Sequence, residues 1–233
     1  MLAPGLFFKF GSELYALNLT DGQATLIDNA LYSTRVPAAG QVDAVFAAPA
    51  DIGPLAAWKV STKFNAEFNA CLSATKEPRA CLIATMQTLG AGPQAVEFSR
   101  LLYGDAFMTS FQEYGAVDLA EVIFHPRPND ILRYVMLNGT PRVVYAADDL
   151  GYLDLTHDPA YPALVKKYPK LTIWESLHLF ERMDRLGQDG QRFIFRYELV
   201  DGCHNCRMGS TALVAFDFRA GQFIGTKLLS LQE

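Results

Sequence analysis

The sequence predicts an α+β fold: an antiparallel sheet drawn from strands at both ends of the chain, with a helical block, at about residues 54–114, packed on one face. Three patterns predict it. Strand-length runs of apolar and aromatic residues open the chain. Between Leu55 and Leu102 apolar residues recur every three or four positions, the spacing of one helical face. The C-terminal third alternates apolar with polar residues between turn signals, as strands with one solvated face do.

The N-terminal strands come first. Residues 6–10 and 14–19 flank a turn at Gly11-Ser12, and Asp21-Gly22 supplies a hairpin turn before 24–27, since Gly tolerates positive φ. Residues 29–53 are rich in Ala, Gly and Pro, with one strand expected at 42–46. A helix follows over 55–74, with Ala56, Val60, Phe64, Phe68, Cys71 and Leu72 on its apolar face. Lys76-Glu77-Pro78 interrupts it, and Pro78 suits the first turn of a second helix over 79–89 that stops at Gly90. Gly92-Pro93 opens a third, with Ala95, Val96, Phe98, Leu101 and Leu102 inward, and Gly104 ends it. A further helix is expected over 106–114.

After Gly115 the pattern turns to strands. Residues 117–124 partly alternate, and 132–137 and 142–146 flank Asn138-Gly139, the strongest short hairpin signal in the chain. Residues 148–170 are acidic, aromatic and proline-bearing, with a short helix expected at 159–168. The segment 171–186 fits helix or strand, with strand favoured for 171–174 alone. Residues 192–199, 211–218 and 222–231 read as a C-terminal antiparallel meander at about 190–232, joined by the Cys203–Cys206 loop and Arg219-Ala220-Gly221.

Composition bounds the function. A chain of 233 residues, half of them apolar and 19% charged, can bury a sizeable core and reads as a single α+β domain over 1–233. Its net charge of −5 and scattered basic residues oppose nucleic acid as a partner. No apolar run approaches the roughly 18–20 residues of a membrane span, so no transmembrane segment is expected.

Four cysteines fall in two local pairs, Cys71 with Cys81 and Cys203-His204-Asn205-Cys206. Three readings compete: two disulfides, a redox centre at Cys203-X-X-Cys206, or one split zinc site. A thioredoxin-type centre sets its first cysteine at a helix N-terminus, where backbone dipoles lower the thiol pKa. Here the pair runs into Gly209 and a strand, which does not start a helix. A zinc site needs two further ligands; His204 is poorly placed within a tight knuckle, and the Cys71/Cys81 spacing is not that of a knuckle. Disulfides are favoured. A helical hairpin about Lys76-Glu77-Pro78 brings Cys71 and Cys81 within the roughly 4.4–6.8 Å between Cα atoms that a bridge needs. Even, locally paired cysteines point to an oxidising, extracytoplasmic compartment, periplasmic or secreted, with a signal peptide removed on export. A bacterial source is expected, because eukaryotic secreted chains of this size usually carry more cysteine.

Other chemistry is sparse. His125, His157, His178 and His204 show no metalloprotease spacing; His125 reads as a rigid strand exit before Pro126, and Asp158 as a helix cap beside His157. There is no nucleophile elbow, phosphate-cradling loop or dinucleotide fingerprint. Asp148-Asp149 and Asp154/Asp158 match neither a calcium loop nor a glycosidase pair. Tyr145, Tyr152, Tyr161, Tyr168 and Trp174 gather about the acidic segment; they either pack a long loop onto its own domain or form a binding face, for which Tyr145, Tyr152, Tyr161 and Trp174 are the candidates. The sequence is therefore read as a non-enzymatic extracytoplasmic binding or interaction protein for a protein or small molecule, without cofactor or metal. The alternative is a thiol–disulfide protein using Cys203 and Cys206, and a weaker one a hydrolase with dispersed catalytic residues.

Overall fold

The structure is a computed structural model, and it describes residues 5–10, 13–18, 24–28, 51–125, 131–147, 150–203 and 206–232. The chain divides into two compact units, Met1–Ala50 and Asp51–Glu233. In the first, β1 (Gly5–Phe10), β2 (Glu13–Asn18) and β3 (Ala24–Asp28) form an antiparallel sheet in the order β1-β2-β3. Phe7 pairs with Ala16, and Ala16 with Thr25. The turns expected at Gly11-Ser12 and Asp21-Gly22 and the strand expected at 42–46 lie outside the described residues.

The second unit opens with a 3-10 turn, Pro54–Ala56, and three helices: α1 (Phe64–Thr75), α2 (Pro78–Thr88) and α3 (Pro93–Leu101). Pro78 and Pro93 stand in the first turns of α2 and α3, where a missing N–H costs nothing. α1 begins well after the expected residue 55. Backbone pairing takes the intervening residues: Ala57 bridges Met108, and the Trp58 amide donates to the Met108 carbonyl at 2.9 Å. Leu55, where the helix was expected to begin, is 71% exposed.

Four strands follow: β4 (Phe107–Gln112), β5 (Asp118–Phe124), β6 (Ile131–Leu137) and β7 (Val143–Tyr145), antiparallel in that order. The helix expected over 106–114 is thus a strand. Its apolar spacing suits either structure, but pairing of Phe107 with Ile123 and Phe111 with Ala120 satisfies its backbone in a sheet. The Asn138-Gly139 hairpin forms, with a longer connection than two residues, since Leu137 pairs with Val143. Asn138 takes a left-handed φ of 68°, and its amide donates to the Arg142 carbonyl at 3.1 Å.

Two 3-10 turns, Leu150–Tyr152 and Leu155–His157, lead to the short helix α4 (Tyr161–Lys167). Asp158 does not cap α4. One of its oxygens accepts the Ala160 amide at 2.8 Å, and the other takes the Leu231 amide at 2.9 Å. The remaining strands are β8 (Leu171–Leu186), β9 (Gly190–Asp201), β10 (Arg207–Arg219) and β11 (Gln222–Gln232), an antiparallel meander in the order β11-β10-β9-β8. The ambiguous segment is one long strand, with register shifts between Ile173 and His178 and between Phe180 and Arg182.

The α+β class therefore holds, and the helices do pack on one face of an antiparallel sheet. That sheet is the central one, β4–β7; in place of the single sheet expected, the described strands form three, β1–β3 in the first unit and β4–β7 and β8–β11 in the second. Alternation along β5 explains the layering. Ala120, Val122 and Phe124 face Phe98 and Leu102 of the helical layer, whereas Leu119 faces the meander, packing with Met136, Phe193, Phe195, Tyr197 and Phe216. The second unit is thus three layers deep: helices, central sheet, meander. A third cluster, of Trp58, Phe64, Phe68, Leu82, Met86 and Phe107, packs α1 and α2 against the Phe107 end of β4, where Ile123 of β5 joins it.

Backbone bonds join the two sheets at the hairpin. The Thr140 amide donates to the Gly221 carbonyl at 2.8 Å, and the Phe223 amide donates to the Thr140 carbonyl at 2.9 Å. Gly139 is required there, because a β-carbon would lie 2.7 Å from the Gly221 oxygen.

Candidate functional site

The meander covers the central sheet unevenly, and the candidate site lies where cover fails. On the face toward the meander, Leu119 and Met136 pair across β5 and β6 and are buried. One row along, Ser110 pairs with Glu121 and Glu121 with Tyr134; Glu121 and Tyr134 are half-buried and Ser110 is exposed. A cleft of about 100 Å³ opens over it, lined by Ser110, Gln112, Leu119, Glu121 and Tyr134 on the central sheet and by Phe180 of β8. Its floor is polar and its wall aromatic. Phe180 stands 6.2 Å from the Tyr134 ring, 6.0 Å from Tyr114 and 5.5 Å from Phe195.

Electrostatics link the floor residues. Burial holds the Tyr134 phenol above its ordinary pKa, and the neighbouring Glu121 carboxylate raises it further. The hydroxyl is therefore a donor at neutral pH. Behind the wall sits His178, 9% exposed, stacked on Tyr197 at 5.2 Å and edge-on to Phe195 at 6.0 Å. Its Nδ1 lies 3.0 Å from the Glu175 carbonyl and its Nε2 accepts weakly from the Tyr134 amide at 3.5 Å. Burial pushes its pKa down to about 4, against the Glu175 hydrogen bond and with help from the Arg133 charge. A neutral imidazole with both nitrogens engaged supports the wall and is not poised to move a substrate proton.

All four cysteines are bonded. Cys71–Cys81 ties α1 to α2 across a Cα separation of 5.6 Å, and Cys203–Cys206 closes the β9–β10 loop across 5.1 Å. The second pair lies between strands, as the sequence context implied. Its loop is anchored by the Asp201 amide donating to the Cys206 carbonyl at 3.1 Å and the Lys170 amide donating to Asp201 at 2.8 Å. Both bridges consume thiolates that a split zinc site would need, and the two pairs sit in different layers, one in the helices and one on the meander. Among the described residues no three His, Cys, Asp or Glu side chains cluster as metal ligands.

The four aromatic candidates are distributed. Tyr145 packs against the helix-side cluster, with Phe124 at 6.1 Å, whereas Tyr161 opens α4 and packs against the core on the opposite face of the central sheet. Tyr152 ends a 3-10 turn and is 83% exposed, and Trp174 is half-buried on β8. Of the other histidines, His125 is sandwiched edge-on by Phe64 and Phe68 at 4.5 Å each, and His157 pairs with Asp154 on the surface at 3.0 Å. His204 lies outside the described residues.

The residues of the cleft escape sequence reading for a physical reason: the expected helix over 106–114 hid the facing of Ser110 and Gln112. One signal was present. In the alternation of 117–124, Glu121 occupies the same face as Leu119, a charged residue on a core-facing row. The chain matches no protein-family model, no curated protein and no solved structure. No helix among the described residues is long and apolar enough to cross a membrane.

Proposed function

We propose that this chain is a non-enzymatic extracytoplasmic binding protein, periplasmic or secreted, that receives a small molecule or a protein side chain in the cleft between the central sheet and β8. The observation that carries the reading is the half-covered row Ser110–Glu121–Tyr134 facing Phe180, a few convergent polar groups against an aromatic wall. Two formed disulfides are compatible with the compartment. Exposed Tyr152 is the member of the acidic, aromatic segment best placed to touch a large partner outside the cleft.

The test is a titration of isotope-labelled protein with small cationic, anionic and neutral probes, followed by amide NMR shifts. Saturable shifts confined to Ser110, Gln112, Glu121, Tyr134 and Phe180 are expected for one probe class. No shift with any class would remove the reading.

A second reading rests on a specific observation: Cys203 and Cys206 are both exposed, so their bridge is open to attack by an external thiolate. Catalysed, multiple-turnover reduction of a disulfide substrate, lost in Cys203→Ser, would favour thiol–disulfide exchange over binding.

A further inference from the structure

We propose that the cleft binds an alkylammonium group, with the Glu121 carboxylate as its counter-ion and the Tyr134 and Phe180 rings beside its charge. The inference rests on the cleft being a binding site and adds the chemistry of what enters it.

Charge comes first. Glu121 forms no ion pair among the described residues, and its neighbours across the strands, Ser110 and Tyr134, are neutral. A half-buried carboxylate beside the aromatic wall of Phe180 concentrates negative potential in the opening. The two rings add to it, since aromatic faces attract cations within about 6 Å of their centroids. An anion would be repelled, and a purely apolar guest would leave the polar row without partners.

Hydrogen-bond capacity agrees with charge. An ammonium carries three donors and no acceptor. The cleft presents the Glu121 carboxylate, the Ser110 hydroxyl and the Gln112 carboxamide oxygen as acceptors, beside the Tyr134 hydroxyl. Size limits the guest. About 100 Å³ is smaller than the roughly 150 Å³ cavity that holds benzene, and far below the roughly 300–1,000 Å³ of drug-sized sites. One unbranched alkyl chain ending in an amine fits, whether a free amine or the end of a lysine side chain.

The experiment uses the full chain, with amide NMR shifts read against n-butylammonium, a capped Gly-Lys-Gly peptide, butanoate and butan-1-ol. The ammonium probes are expected to shift Ser110, Gln112, Glu121 and Tyr134 and to bind about tenfold more tightly than butan-1-ol, the worth of one charge-assisted hydrogen bond. Glu121→Gln should remove that advantage while leaving butan-1-ol unchanged. Phe180→Leu, which keeps the wall apolar, should weaken the ammonium probes about threefold. A preference for the peptide assigns the group to a lysine side chain, and a preference for n-butylammonium assigns it to a free amine; both support the proposal. Binding of butanoate or butan-1-ol at least as tight as n-butylammonium, or affinity unmoved in a folded Glu121→Gln variant, overturns the ammonium assignment and leaves the binding site standing. Silence from all four probes overturns both.

Discussion

Gln191 holds Val117 by both of its backbone groups: the side-chain amide donates to the Val117 carbonyl at 2.8 Å, and the side-chain oxygen accepts the Val117 amide at 2.8 Å. A third bond, at 3.2 Å, goes to the Tyr114 carbonyl. Gln191 belongs to β9 and Val117 leads into β5, so one side chain imitates a strand and joins the meander to the central sheet. It is 3% exposed, and Val117 is fully buried, so water cannot replace these bonds cheaply.

Replacing Gln191 by Leu keeps the volume and strands the Val117 amide and carbonyl. Gln191→Leu is expected to lose about 3 kcal/mol of stability, since each buried group left unpaired costs about 1–3 kcal/mol. Urea unfolding checks it, and a loss under about 1 kcal/mol would mean that the clamp is replaceable.

Asn138 makes a comparable junction. Its side chain accepts the Ile52 amide at 2.8 Å and donates at 2.8 Å to both the Ile52 carbonyl and the buried Asp118 carboxylate. Asp118 also accepts the Tyr114 amide at 2.8 Å and the Gly115 amide at 3.2 Å. Asn138→Ala should cost about 2–4 kcal/mol, combining lost bonds with a left-handed φ that Ala resists. Asn138→Gly relieves only the backbone part, so the difference between the two variants in chemical unfolding isolates it.

His178 makes stability depend on pH. The unfolded chain takes up a proton near pH 6.5, whereas the folded state resists until about 4. Between those values the unfolded state binds more protons, so stability is complete above 6.5 and falls as pH drops toward 4, by up to about 3 kcal/mol. His178→Phe should flatten that part of the profile. Unfolding curves at several pH values in both proteins decide it; identical slopes would place the proton uptake elsewhere.

The bridges differ in weight. By the chain-entropy relation, losing Cys71–Cys81 costs about 3 kcal/mol and losing Cys203–Cys206 about 2 kcal/mol. Reductant should act on the exposed Cys203–Cys206 pair first, because Cys81 is fully buried in the helical layer. Peptide mapping after timed alkylation reads that order, and equal rates for the two bridges would contradict it.

Local chemistry was legible in the sequence, and long-range placement was not. Both cysteine pairs, the proline-led helices α2 and α3, the Asn138 hairpin and the three meander strands follow from residues within a few positions of one another. Phe107–Gln112 read as helix because its apolar spacing fits either structure, and only pairing with β5 settles it. The long β8 stayed ambiguous because Glu181, Arg182, Asp184 and Arg185 break its alternation; its ion pairs, such as Glu181 with Arg196 at 2.7 Å, appear only once β9 lies beside it. The cleft draws on β4, β5, β6 and β8, whose meeting depends on how two sheets stack. Glu121 alone carried a warning, as a charge in a core-facing row.

The Thr140–Gly221 contact bears on how the molecule can be engineered. A two-residue tip such as Ala220-Gly221 is ordinarily a safe place to insert a tag or to open a chain for circular permutation. Here the main chain of another hairpin docks against it with no room for so much as a methyl group at Gly139. Grafts at that tip should uncouple the meander from its neighbour, whereas the Gly187 turn, with open space around it, is the better place to splice.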